Sequence, residues 1–295
     1  MAAILAAIAL LGLTEGGPVQ QIKADAPLFV EDRFFGSFQE ATRITVDQRG
    51  FLFVIDEGGH NILVYDTPED QPRTLGGYGW DQTTFDRPTG VATDILNIYV
   101  ADFGNHRISR FDRQLSFLSS LSTRDTSYER ARFGYPKGVA LSRQGDLFVL
   151  DGENTRVVKF DAHGGFERSF GDTESPEGRL TNPIDLVVTR DERVFVLEPD
   201  KIVEFDYLGN FVDVMRSPLL FGARGFCEAN KGLLVVTQDR LLFFNSNRAV
   251  AWSVKVSHIV SSRPLTPLQD VAVRNNAVIL LTPVTAGIFR MVQPE

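Results

Sequence analysis

The stretch "YVADFGNHRISRFD", residues 99–112, joins a β-prone run ending in an aspartate, a polar turn of Gly104, Asn105 and His106, and a second β-prone run ending in Phe-Asp. Val, Ile, Tyr and Phe suit a pleated, half-buried surface, and Gly and Asn supply the positive-φ positions of a tight hairpin. The stretch therefore predicts a hairpin. The same unit recurs. Its first run appears as "FLFVID" (51–56), "NIYVAD" (97–102), "DLFVLD" (146–151), "RVFVLE" (193–198), "GLLVVT" (232–237) and "AVILLT" (277–282). The second run follows each time, as "NILVYD" (61–66), "RISRFD" (107–112), "RVVKFD" (156–161), "KIVEFD" (201–206), "RLLFFN" (240–245) and "GIFRMV" (287–292). A third run precedes each hairpin, for example "TGVATD" from Thr89 and "IDLVVT" from Ile184, and a fourth follows it, as in "FERSFG" (166–171) and "NFVDVM" (210–215).

A period of roughly 40 to 49 residues is the range of four-stranded propeller blades. Strands this short leave apolar faces that only a neighbouring blade can cover, and closing the ring removes the exposed ends. The chain is thus expected to be all-β, a six-bladed β-propeller of four-stranded antiparallel blades over residues 27–295. The last unit ends after its third strand, and the unassigned segment "PLFVEDRFFGSF" (27–38) is expected to complete that blade and clasp the ring. An α/β alternative would need crossover helices, and no long segment of 3.6-residue period lies between the runs.

The segments "RPTGVATDILNIYVADFGNHRISRFD" (87–112) and "YPKGVALSRQGDLFVLDGENTRVVKFD" (135–161) resemble NHL repeats. That pattern runs Pro-x-Gly-Val-Ala, then a Tyr-Val-Ala-Asp strand end, then Gly-Asn-x-Arg-Ile-x-x-Phe. The likeness is strong in these two units, fair in the first and fourth, and weak in the fifth and sixth. It implies a six-bladed β-propeller and leaves activity open, because one scaffold hosts many functions.

The net charge of −8 gives no general attraction for phosphate backbones or anionic lipid, so nucleic acid is not an expected partner. A single cysteine, Cys227, excludes an internal disulfide and a cysteine-based zinc site, and on an inner strand it reads as a buried small residue. Residues 2–13 form an uncharged apolar run, shorter than the roughly 20 residues that span a bilayer. With the small residues Ala24 and Ala26 downstream, residues 1–26 are expected to be a signal peptide, with export to the periplasm or exterior. The alternative is a short structured helix on a cytoplasmic protein. Membrane contact is expected only through this segment, if it is retained.

His60, His106 and Thr155 fall at one repeat position, in the turn between second and third strands. Equivalent positions in neighbouring blades sit side by side around the ring, whereas zinc needs its ligands within about 2.0–2.3 Å of one ion. No metal or other cofactor is therefore expected. His163 and His258 have no partner at metal-site spacing. Asp56, Asp102, Asp151 and Glu198 are read as turn clamps, accepting hydrogen bonds from turn amides. No pair of carboxylates is seen to converge, and no catalytic residue is assigned.

The long connections 76–88, 122–136 and 256–269 lie on the same side as these turns. Binding residues collect on loops held by a rigid frame, and aromatic and cationic groups are enriched in recognition patches. Tyr78, Trp80, Tyr128, Arg132, Tyr135, Lys137 and Arg224 are the expected contact residues. The expected function is a non-enzymatic scaffold for a protein, peptide or glycan, in the setting of an exported or cell-envelope assembly. The alternative is a propeller enzyme with its site at the channel mouth, of the lyase or lactone-hydrolase type that the six-bladed architecture implies.

Overall fold

A computed structural model describes residues 28–173 and 177–292. The expectations for residues 1–26 lie outside the described residues. The strands form six four-stranded antiparallel sheets, each a blade. The first holds β2 (Ala41–Val46), β3 (Leu52–Asp56), β4 (Asn61–Tyr65) and β5 (Arg73–Gly76), the second β6 (Pro88–Thr93), β7 (Asn97–Asp102), β8 (Arg107–Asp112) and β9 (Phe117–Leu121). The third holds β10 (Gly138–Leu141), β11 (Leu147–Asp151), β12 (Arg156–Phe160) and β13 (Phe166–Phe170), the fourth β14 (Asp185–Val188), β15 (Val194–Leu197), β16 (Lys201–Phe205) and β17 (Phe211–Arg216). The fifth holds β18 (Ala223–Ala229), β19 (Gly232–Thr237), β20 (Arg240–Phe244) and β21 (Val250–Lys255).

The sixth blade is assembled from both ends of the chain. β22 (Asp270–Arg274), β23 (Ala277–Leu281) and β24 (Ala286–Val292) are completed by β1 (Leu28–Phe35), which pairs antiparallel with β24 from Leu28↔Val292 to Phe35↔Ala286. The closing strand is shorter than the 27–38 segment read from the sequence, because the chain turns at Gly36 and leads into the first blade. Glu31 also accepts hydrogen bonds from the Ser262 amide and hydroxyl, which ties β1 to the loop before the sixth blade.

Six apolar clusters fill the gaps between successive blades, including the gap between the sixth and the first. The phenylalanines of the repeated Phe-Asp pairs, Phe111, Phe160 and Phe205, are fully buried in these layers. Truncating a residue of this kind to Ala costs about 3–5 kcal/mol. The inner strands β2, β6, β10, β14, β18 and β22 each contact the next around the ring, and they wall the central channel.

Candidate functional site

The acidic residues at the ends of the second strands have a common geometry. Asp102 Oδ1 accepts from the Asp86 amide at 2.9 Å, and Oδ2 from Asn105 Nδ2 at 2.7 Å and Arg107 Nε at 2.9 Å. Asp56 accepts from the Gln39 and Glu40 amides, Asp151 from the Gly134 amide and Arg156 Nε, and Glu198 from the Thr181 and Asn182 amides and Lys201 Nζ. In each of these four blades the carboxylate reaches an amide 16 or 17 residues upstream, in the loop leading into its own inner strand. These four residues therefore fix the loops from below. Burial holds the Asp102 carboxyl above its ordinary range. At Glu198 burial acts the same way, but the Thr181 and Lys201 hydrogen bonds outweigh it and hold the group low.

The turn histidines link successive blades. His60, His106 and Thr155 all have positive φ, between 50° and 55°. His60 Nδ1 accepts from the Arg87 amide at 3.0 Å, and His106 Nδ1 from the Tyr135 amide at 3.1 Å. Both amides belong to the loop into the following blade. Only a neutral imidazole nitrogen can accept, and burial, with Arg124 nearby, pushes the His106 pKa down. Among the described residues no group of three or more His, Cys, Asp or Glu is placed to hold a metal ion.

On the loop face, Tyr78 and Trp80 stand out at 60% and 69% exposure. They sit edge to face at 5.3 Å between ring centroids, with His60 against Tyr78 at 5.0 Å. Their loop is held from beneath. Arg107 donates to the carbonyls of Trp80, Asp81 and Thr84, Asn105 donates to that of Gly79, and Phe85 is fully buried as the anchor. Tyr135 meets His106 edge to face at 4.1 Å between ring centroids and remains exposed.

The other expected contact residues lie elsewhere or are engaged. Tyr128 packs on Phe166 at the start of the outer strand β13, away from the channel. Arg132 turns back on its own loop to donate to the Thr126 carbonyl. Lys137 and Arg224 stand at the channel mouth, donating to the Pro183 carbonyl and Gln269 Oε1. Sequence reasoning missed Phe221, which is 84% exposed in the loop before β18. A lone Phe outside the β pattern was the available signal.

The channel also overturns one sequence expectation, because carboxylates do converge. In the Pro-x-Gly-Val-Ala register the glycine position is held by Arg43, Gly90, Gly138, Asp185, Gly225 and Asp270. The glycines are required sterically, since a Cβ on Gly225 would collide with Asp270 Oδ1 and one on Gly90 would lie 2.9 Å from the Gly138 Cα. Arg43 crosses from the first blade to the fourth, donating to the Ile184 carbonyl at 2.8 Å with Nε 3.6 Å from Asp185 Oδ2. Asp270 is 3% exposed and accepts from the Ile44 and Val271 amides. Burial, reinforced by Asp185 against the pull of Arg43, pushes Asp270 up to about 8, and burial raises Asp185 as well. These groups close one end of a channel cavity of about 350 Å³, which Cys227 also lines. Burial drives the Cys227 thiol far up, so it stays protonated. A carboxyl that keeps its proton near neutral pH can donate as well as accept.

The NHL repeat family matches residues 85–111 and 133–160. Among curated proteins, the chain is 30% identical over 123 residues to Protein brain tumor of Drosophila melanogaster, covering 39% of this chain and 12% of that one. It is 29% identical over 187 residues to a probable peptidyl-alpha-hydroxyglycine alpha-amidating lyase of Caenorhabditis elegans, covering 61% and 51%. The chain thus spans about half the length, or less, of these relatives. Among solved structures, a gluconolactonase of Xanthomonas campestris superposes with a TM-score of 0.65 at 13% identity, covering 95% of this chain and 99% of that one. A virginiamycin B lyase of Staphylococcus aureus gives 0.63 at 11% identity, covering 90% and 100%. At such identities the likeness is one of fold. The chain is a six-bladed β-propeller that carries NHL repeats in its second and third blades.

Proposed function

We propose that this propeller is a recognition module that binds a protein or peptide partner on its loop face. The observation that supports this is the Tyr78–Trp80 pair, which is exposed on a loop whose carbonyls are tied down by Arg107 and Asn105. A rigid, exposed aromatic pair has already lost the conformational freedom that binding would otherwise remove. Such residues are the usual anchors of interfaces, where truncation costs about 2 kcal/mol or more.

The test compares stable association with candidate proteins identified by crosslinking in the native cell and then purified. The Tyr78→Ala/Trp80→Ala variant should weaken association by roughly thirtyfold, equivalent to about 2 kcal/mol. Its melting temperature should stay close to that of the parent, because both side chains are outside the core. Leu96→Ser, on an exposed turn of the opposite face, should change neither quantity. Loss of association with Leu96→Ser but not with the aromatic double change would place recognition on the other face and overturn the reading.

A further inference from the structure

The residues ahead of the glycine position form a second tier, nearer the loop face: Thr42, Thr89, Lys137, Ile184, Arg224 and Gln269. This tier holds two cations and no acid, in a protein of net charge −8. Among the described residues neither Lys137 nor Arg224 has an ion-pair partner. Each uses one donor on a neutral acceptor, the Pro183 carbonyl at 3.2 Å and Gln269 Oε1 at 2.9 Å, and among the described residues the other donors of each group have no protein partner.

Lys137 is also held in place. Gly152 makes room for its stem, since a Cβ there would lie 3.1 Å from Lys137 Cγ and 3.3 Å from Cε. Arg43 reaches the carbonyl next to the Lys137 acceptor, so Lys137 and Arg43 converge on Pro183 and Ile184. Arg43, Lys137 and Arg224 face only Asp185 and Asp270 across these two tiers, and burial favours the protonated form of both acids. The mouth is therefore electropositive. The rim carries both signs: Glu40, Asp81 and Asp200 are exposed on the surrounding turns and loops, as are Arg87 and the Arg124–Glu153 ion pair. A long phosphate backbone crossing the face would meet Glu40, Asp81 and Asp200, whereas a single carboxylate presented at the centre would not. An exposed aromatic stands close to each cation in the chain, Tyr135 before Lys137 and Phe221 before Arg224.

We propose that the channel mouth on the loop face is a carboxylate pocket, in which Lys137 and Arg224, with Arg43 beneath, receive one acidic group of a peptide flanked by apolar residues. The group is an Asp or Glu side chain or a chain-terminal carboxylate. This rests on the recognition reading above and names the chemistry of the partner.

The probe is a phage-displayed library of random dodecapeptides selected on the intact protein. Selected peptides should be enriched in Asp or Glu beside apolar residues. Synthetic copies should bind roughly tenfold or more weakly to Lys137→Gln/Arg224→Gln, as expected for losing hydrogen bonds to a charged group. Should that variant fail to fold, the unaltered protein can be titrated with the same peptides bearing amides in place of the side-chain carboxylates or of the terminal one, and the arm that loses affinity identifies the source. Enriched peptides without acidic residues, or acidic peptides bound equally after either change, would overturn the pocket while leaving the recognition reading intact. Displacement of the peptides by a single-stranded RNA oligomer with higher affinity would overturn it in favour of nucleic acid. Absence of any enrichment would instead count against the recognition reading itself.

Discussion

At the scale of single residues, two titrating groups influence stability in opposite directions. Asp270 has a folded pKa raised from 3.8 to about 8, so the folded protein holds a proton that the unfolded chain releases. Its contribution is complete at acid pH and is lost as pH rises through the window between about 4 and 8. His106 is the reverse case. Its pKa is pushed below the ordinary 6.5, so the unfolded chain binds the proton more readily and stability is lost as pH falls. Asp270→Asn isolates the first effect. Asn cannot accept from both the Ile44 and Val271 amides as the two carboxyl oxygens do, so the variant should be less stable in acid by about 1 kcal/mol. Because it carries no ionisable group, its deficit should shrink or reverse above pH 8. Thermal melts across that range check this, and parallel curves for the two proteins would contradict the assignment of a raised carboxyl.

At the scale of elements, the least local feature is β1, whose partners lie at the other end of the chain. Removing residues through Phe35 would leave the β24 edge unpaired and strip Phe29 and Phe35 from two inter-blade clusters. An exposed strand edge of this kind templates association. The truncated protein should melt well below the parent and aggregate, as followed by light scattering during a thermal ramp; an unchanged melt would mean that the pairing adds nothing to closure. This strand was legible in the sequence because the arithmetic of the repeat left one outer strand missing, and the blades were legible because each second strand and turn repeats the same residue types. The channel acids were not. Arg43, Asp185 and Asp270 read along the chain as isolated departures from a glycine, far apart in sequence, and only ring closure brings them into one tier. Phe221 and the turning back of Arg132 escaped for a related reason, since loop conformation follows from tertiary hydrogen bonds that carry no periodic signal.

At the scale of the whole molecule, five blades are continuous in the chain and one joins its two ends, through the β1–β24 ladder, its packing and the hydrogen bonds of Glu31 to Ser262. A ring of blades that each contact only their neighbours opens at its weakest junction, and the sixth blade is the one whose strands can separate without breaking any hairpin. Covalent closure there should stabilise the ring as a unit. Val30 and Arg290 lie directly opposite each other in the ladder, and both side chains are exposed. Cα separations of directly opposed antiparallel residues fall within the range a disulfide accepts. The change removes only an exposed Arg290–Asp32 ion pair, of little energetic weight. Cys227, half-buried in the channel wall, is poorly placed to compete in oxidation. Val30→Cys/Arg290→Cys should therefore melt higher when oxidised than when reduced. The loop it closes is nearly the whole chain, and the chain-entropy estimate for so long a loop reaches about 5 kcal/mol as an upper figure. Equal melting temperatures with and without reductant, once the bond is verified by mass, would show that unfolding starts at another blade junction and that the terminal ladder is not the seam of the ring.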